Sequence, residues 1–233
     1  MEGPVNKRVL ATYEGHEALF VLLEKEARKR GYGEKPTLFL GDGSEHIWRL
    51  QKKYFGEALA CLDWYHAVEK LWEAGRALYP REAQGWKRQE WVGKQVDFLW
   101  RGKVGVVLYV LREEEDAVAG SGPGTREKRK TLKKVREYFE EHQGRMNYEE
   151  LREWGLDIGT GVVEGAVRNV IGLRQDGPGM RWGRGRDEQV LQLRCVLLNS
   201  QWSDFADFLE RQEPLKLRPK PIPAKAHDAK VAA

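Results

Sequence analysis

The chain has 233 residues, 41% of them hydrophobic and 33% charged, so it can bury a core and still present a polar surface. No apolar stretch approaches the length of a membrane span and no signal-peptide pattern opens the sequence, so we expect no membrane partner. Its only two cysteines, Cys61 and Cys195, lie far apart, so we expect a reducing, cytoplasmic environment without a disulfide framework or a cysteine-based zinc site.

The formal net charge is only +4, but the basic residues are concentrated in three stretches. These stretches are 125–136 (TREKRKTLKKVR), 174–186 (RQDGPGMRWGRGR) and 216–230 (KLRPKPIPAKAHDAK). Local basic patches attract polyanions even when the total charge is modest. The alternative is that lysine-rich helices of this kind are solvated surfaces without a partner.

Strand and helix patterns alternate over the first 66 residues. Short apolar or alternating runs predict strands, and apolar residues at helical spacing predict helices. In chain order we predict a strand at 7–13 (KRVLATY), a helix at 15–31, a strand at 36–43 that ends in Gly-Asp-Gly, a helix at 44–55, and a short apolar run at 57–66 that reaches Asp63. This alternation predicts an α/β fold with parallel strands.

Residues 67–154 form a block in which nearly every segment has a helical pattern, with a glycine-rich break at 120–124 (GSGPG). The α/β part resumes over 155–212, where helices are predicted at 161–172, 187–199 and 202–211. The proline and lysine content of 213–233 predicts a disordered basic tail.

Three acids stand at the ends of predicted elements. Asp42 and Asp63 each follow a strand, and Glu164 lies in the first turns of a helix within the apolar run GTGVVEGAVRNVIG (159–172). Ligand-binding groups of α/β proteins gather at the carboxyl ends of the strands. Carboxylates that converge there make an oxygen site for Mg²⁺ or Mn²⁺, ions that activate phosphodiesters for in-line attack.

Each acid also has a structural interpretation. An aspartate between a strand and a glycine, as at Asp42, is often a turn former. Asp63 with His66 fits a local helix cap beside a core histidine, and Glu164 can complement a helix dipole. A Glu164–Arg168 pair at i, i+4 is commonly structural.

Taken together, the motifs are more specific than any single acid. The segments LFLGDGSEHIW (38–48), ALACLDWYHAVEKL (58–71) and IGTGVVEGAVRNVI with GPGMRWGRGRDEQVLQLR (158–194) resemble the catalytic part of DDE-type insertion-sequence transposases of the ISKra-type group. In related families a (C/D)xxH motif follows the second catalytic strand and a long helical insertion precedes the final glutamate. Residues 63–66 (DWYH) and the helical block match these two features.

The resemblance implies a ribonuclease-H-like core, incomplete at its amino end, in two parts (1–66 and 155–212) around a helical insertion (67–154). It implies that Asp42 and Glu164 are catalytic acids and ligands of a two-metal Mg²⁺ or Mn²⁺ site, with Asp63 and His66 as the accessory motif. The implied partner is double-stranded DNA, at element ends and target, and the implied assembly is a homo-oligomer associated with the nucleoid. The implied DNA-binding residues are Arg168, Arg181, Trp182 and Arg184.

One catalytic acid of the family has no counterpart here. The family's first aspartate lies on the first strand of the core, and no suitable Asp-Gly precedes 7–13. We therefore expect a carboxy-terminal transposase fragment that binds metal weakly and is inactive alone. Two alternatives stay open: a non-enzymatic DNA-binding or regulatory protein whose acids are relics, and a metal-dependent phosphoesterase that acts on smaller substrates.

Overall fold

The computed structural model describes residues 6–161 and 183–212. Within these ranges, two strands form one parallel sheet: β1 (Leu38–Gly41) and β2 (Leu59–Leu62), in a register that pairs Leu38 with Leu59 and Gly41 with Leu62. The helix between them, α2 (Glu45–Tyr54), completes a strand–helix–strand unit. The predicted strands at 36–43 and 57–66, their parallel pairing and the intervening helix are therefore confirmed.

Most of the described chain is helical. Besides α2, the helices are α1 (His16–Lys29), α3 (Trp64–Leu78), α4 (Gly85–Trp100), α5 (Val104–Asp116), α6 (Thr125–His142), α7 (Tyr148–Glu153), α8 (Arg184–Leu198) and α9 (Trp202–Arg211), with short 3₁₀ turns at Glu82–Gln84 and Gln143–Arg145. In the part of the chain that the structure describes, no helix is both long and apolar enough to cross a membrane. The helix predicted at 161–172, after Gly161, and the predicted tail at 213–233 lie outside the described residues.

The helical block packs into a four-helix arrangement, in which α3 contacts α4 and α6, and α5 contacts α4 and α6. Its buried stripe continues into the strand–helix–strand unit, because Trp48 of α2 and Cys61 and Leu62 of β2 belong to the same core. A two-stranded sheet is marginal by itself. Burial of β2 against the helices therefore holds the sheet in place.

The strand predicted at 7–13 is wrong. Within the described residues, this segment is not paired with another strand. Its backbone groups form hydrogen bonds with side chains of α8 and of Asn199, the residue that follows α8. The Asn199 side chain accepts from the Val9 N–H at 2.7 Å and donates to the Val9 carbonyl at 2.8 Å. Gln192 donates to the Ala11 carbonyl at 2.9 Å, and Glu188 accepts from the Tyr13 N–H at 2.7 Å. These helix side chains satisfy the backbone groups that a sheet ladder would otherwise satisfy.

We predict that Asn199→Ala loosens this segment without unfolding the helical block. The substitution removes both hydrogen bonds to Val9 and should lower the free energy of unfolding by about 1–3 kcal/mol. Urea unfolding measures the loss, and amide exchange at Val9 localises it. Asn147→Ala is the control, because Asn147 is exposed and makes no side-chain cap bond to α7. Unchanged exchange at Val9 would contradict the interpretation.

Candidate functional site at the carboxyl ends of the strands

Asp42 and Asp63 occupy equivalent positions at the ends of the two strands. Asp42 follows Gly41 of β1 and Asp63 follows Leu62 of β2, and Gly41 and Leu62 are register partners. The Asp63 N–H donates to the Gly41 carbonyl at 2.8 Å, which extends the ladder by one step. The parallel register thus brings these two acids to the same edge of the sheet, as the sequence predicted.

The Asp63 carboxylate is fully buried, and both of its oxygens are engaged. Oδ1 accepts from the Thr160 N–H at 2.6 Å. Oδ2 accepts from the backbone N–H of His66 at 3.1 Å, which caps α3, and lies 2.5 Å from Nδ1 of the His66 ring. The helix-cap interpretation of Asp63 is therefore confirmed in geometry.

The His66 ring is oriented by this contact. Because a carboxylate can only accept, Nδ1 carries the proton of this hydrogen bond. The side chain is 39% exposed, so the interpretation of His66 as a core histidine is wrong. The pair presents an oriented, partly exposed imidazole at the sheet edge.

A second part of the chain is anchored at this edge. The Trp64 N–H donates to the Ile158 carbonyl at 2.9 Å, and the Tyr65 ring lies so close to Gly159 that a Cβ there would be 2.7 Å from Cε2. With the Thr160–Asp63 bond, these contacts hold 158–161 against the end of β2. Of the predicted site residues, Glu164, Arg168, Arg181 and Trp182 lie outside the described residues. Arg184 is the first residue of α8, and its side chain lies outside the description too.

Asp42 differs from Asp63 in its surroundings. Its side chain is exposed, and Oδ1 accepts from the Ser44 N–H at 2.8 Å in a tight turn that leads into α2. The interpretation of Asp42 as a turn former is thus confirmed. The second oxygen, Oδ2, has no hydrogen-bond partner within 6–161 and 183–212. Asp42 consequently retains capacity to bind a cation or a water.

Two side chains of α6 that the sequence did not single out close over this turn. Tyr138 packs directly on Gly43, where an added Cβ would lie 2.2 Å from the Tyr138 Cε2 and 2.3 Å from its hydroxyl oxygen. Burial raises the pKa of Tyr138, and the negative charges of Asp42 and Asp63 raise it further. The hydroxyl therefore stays protonated beside the two acids.

His142 lies one turn beyond Tyr138 and is fully buried. The two rings meet edge to face, with centroids 4.7 Å apart. Nδ1 accepts from Arg145 Nη1 at 2.8 Å, and the Arg145 guanidinium lies 4.4 Å from the centre of the Trp48 ring. Burial lowers the pKa of His142, so the ring is held neutral under the Asp42 turn.

The sequence contains a weak signal for these two residues. The end of α6 reads YFEEH (138–142), which places an aromatic ring and a histidine at i, i+4 beside Phe139 on the buried side of an otherwise basic helix. Helical periodicity predicts that this side is buried. It cannot predict that the stripe reaches a turn about 100 residues earlier in the chain, because that contact depends on tertiary packing.

Cys61, beneath the same edge, is not a reactive nucleophile. It is fully buried, and its thiol donates to the Leu62 carbonyl at 3.3 Å. Burial, and to a smaller extent the charge of Asp63, raises the pKa of Cys61 to about 12. The thiolate, which is the nucleophilic form, is therefore disfavoured near neutral pH.

Within the described ranges, no group of three or more histidine, cysteine, aspartate or glutamate residues is arranged to hold a metal ion. Asp63 does not suit a metal, because its oxygens are occupied by the Thr160 and His66 bonds. Asp42 does, through its free oxygen.

No protein-family model matches the chain, and comparisons with curated proteins and with solved structures found no similar protein.

We predict that Gly43→Ala destabilises the protein by about 1–3 kcal/mol, because the new methyl group overlaps the Tyr138 ring. In a Tyr138→Leu background the same change should cost less than about 1 kcal/mol, since the ring is absent. Urea unfolding of the four proteins measures this coupling. Gly93→Ala is the control, because a Cβ at that exposed helical position meets nothing. Equal costs in both backgrounds would show that Tyr138 does not cover Gly43.

A second prediction follows from the lowered pKa of His142. Below pH 6.5, the ordinary value, the unfolded chain binds a proton at His142 while the folded protein resists it. Stability is therefore complete above about pH 6.5 and falls as the pH drops toward the folded pKa, by up to about 1.4 kcal/mol per pH unit. His142→Phe should reduce this slope below about pH 6.5.

Unfolding free energies across this range measure the slope, with His16→Phe, at an exposed histidine, as the control. Parallel curves for the native protein and His142→Phe would contradict the assignment.

Proposed function

We propose that the chain acts in DNA transposition, as a catalytic part of a DDE-type transposase with a ribonuclease-H-like core. The catalytic acids of this proposal are Asp42 and Glu164, with Asp63 and His66 as the accessory pair. One observation carries it: the segment that leads to Glu164 is tied to the same sheet edge as Asp42. Thr160 bonds the Asp63 carboxylate, and Gly161, the last residue described there, precedes Glu164 by three positions.

The roles of the residues follow from their surroundings. Asp42 offers an exposed carboxylate oxygen as an ion ligand. Asp63 acts through His66, whose ring it fixes at the edge, where the exposed part of the imidazole can contact a water, a hydroxyl or a DNA phosphate group. Tyr138 and His142 hold the Asp42 turn from the side of the helical block. A bound Mg²⁺ or Mn²⁺ would polarise a phosphodiester and assist attack by water or a 3′-hydroxyl.

Metal binding in this proposal is weak. Asp42 and Glu164 supply two carboxylates, and the affinity of an oxygen site depends on the number of charged ligands. We expect a dissociation constant for Mn²⁺ on the order of 10⁻³ M, at the weak end for such sites. With so few charges to hold the ions, we expect no strand joining above background by the 233-residue chain alone.

Titration with Mn²⁺, followed by electron paramagnetic resonance, tests the site. Asp42→Asn and Glu164→Gln should each weaken binding about tenfold or more, because each removes one of two charged ligands. Asp116→Asn and Glu34→Gln are the matched controls at exposed positions. Native affinity in Asp42→Asn would refute the site. A strand-transfer assay with Mg²⁺ or Mn²⁺ is the second measurement, and robust joining would refute the expected inactivity.

A second candidate is a DNA-binding or regulatory protein without catalysis. The observation that favours it is that Asp63 and Asp42 both have structural hydrogen bonds, one as the cap of α3 and the other in the turn before α2. DNA binding that is independent of divalent metal and unchanged by Asp42→Ala and Glu164→Ala, together with no specific Mn²⁺ binding, would favour this candidate over the first.

A further inference from the structure

A basic cleft lies apart from the strand-end site. It has a volume of about 770 Å³ and lies between residues 6–8, the end of α1 and Asn199, the residue that follows α8. Neither Asp42, Asp63 nor His66 contributes to it. The lining residues are Asn6, Lys7, Arg8, Glu26, Lys29, Arg30 and Asn199, all of them polar or charged.

Positive charge dominates the cleft. Four cationic side chains face one carboxylate, so the lining has a net charge of +3 from four positive charges and one negative. The Glu26 carboxylate is shared, with Arg8 at 3.3 Å, Arg30 at 3.1 Å and Lys29 at 3.6 Å. Lys7 has no ion-pair partner in the described part of the chain. The Glu26 carboxylate thus forms ion pairs with three cationic side chains, and its single negative charge leaves most of their positive charge uncompensated.

The walls are fixed by bonds between distant parts of the chain. The Arg30 Nη1 donates to the Asn6 carbonyl at 2.7 Å, and Asn199 holds the backbone of Val9 on both its donor and its acceptor. These bonds keep the lysine and arginine side chains of the first segment beside those of α1. The cationic groups are therefore assembled before any ligand binds, which reduces the ordering cost of binding.

We propose that this cleft binds the phosphodiester backbone of double-stranded DNA. Pockets for small organic ligands are mostly apolar, and none of the described lining residues has an apolar side chain. Lysine and arginine are the main phosphate ligands of DNA-binding proteins, and guanidinium groups bind phosphate in a bidentate manner. The proposal deepens the function proposed above, on which the choice of DNA as the polyanion rests.

The lining also predicts how the DNA is recognised. The lining residues that the structure describes include no aromatic side chain on which an unpaired base could stack, which favours a duplex over a single strand. Contacts to phosphates position a protein on DNA but carry no sequence information. Binding in this cleft should therefore be insensitive to base sequence and strongly dependent on salt.

Fluorescence anisotropy with a labelled DNA duplex, in EDTA, tests the proposal. The test variant is Lys7→Gln/Lys29→Gln, and its matched control is Lys87→Gln/Lys103→Gln, which removes the same charge from α4 and the start of α5. Loss of two phosphate contacts should weaken binding at about 0.1 M salt at least about tenfold. It should also lower the steepness of log K against log salt by about 2, at roughly 0.9 per contact.

A third variant tests the opposite direction. Glu26→Gln removes the one negative charge among the described lining residues and should tighten DNA binding, with a steeper salt dependence. The side chain of Glu26 also holds three ion pairs, so thermal unfolding of each variant verifies that the fold is retained. Tighter binding by a folded Glu26→Gln protein cannot result from structural damage, which keeps the test independent of stability.

Three outcomes would overturn the proposal. The first is that Lys7→Gln/Lys29→Gln binds the duplex as tightly as the control variant does. The other two are that poly-glutamate, or inorganic phosphate at equal phosphate concentration, displaces the labelled duplex as well as unlabelled DNA does. The last two would indicate an acidic-protein site or a small-anion site. The proposals for the cleft and for the strand-end site can be refuted independently of each other. Unchanged Mn²⁺ binding in Asp42→Asn refutes the catalytic proposal alone, whereas unchanged DNA binding in the cleft variant refutes the cleft alone.

Discussion

The buried carboxylate of Asp63 is the interaction on which the strand-end site depends. Burial of an ionised group is unfavourable unless hydrogen bonds compensate it. Here the partners come from two different parts of the chain: the first turn of α3 through His66, and the segment that ends at Gly161 through Thr160. One side chain therefore fixes where β2 ends, where α3 begins and where the chain returns about 100 residues later.

The helical block has an equally direct part in the site. Two strands of four residues each bury little surface by themselves, and their core is supplied largely by α3 to α6. The end of α6 then reaches beyond the core and places Tyr138 on Gly43, with neutral His142 behind it. A change in the block would consequently be transmitted to the Asp42 turn through packing, with no contact to a substrate.

The sequence patterns predicted local secondary structure but not the contacts between residues that are far apart in the chain. The apolar runs at 36–43 and 57–66 were sufficient to predict β1 and β2, because a short apolar run flanked by glycine or proline is typical of a strand. The run at 7–13 has a similar composition, but its backbone partners are Asn199, Gln192 and Glu188, at the far end of the chain. No periodicity encodes that pairing. The Asp63–His66 cap can be predicted because it spans three residues, whereas the contact of Tyr138 with Gly43 cannot, because about 100 residues separate the two.

The distribution of charge separates binding from chemistry. The strand edge presents Asp42 and a carboxylate-bound imidazole, surroundings that repel a phosphodiester unless a cation intervenes. The cleft at Asn6–Arg8 and the end of α1 has the opposite sign and includes neither acid. Under the proposed function, most of the affinity for DNA would arise at such basic surfaces, because the ions proposed at Asp42 would be weakly held and would add little attraction. DNA affinity measured without divalent metal therefore reports on the basic surfaces, and metal dependence reports on the strand edge.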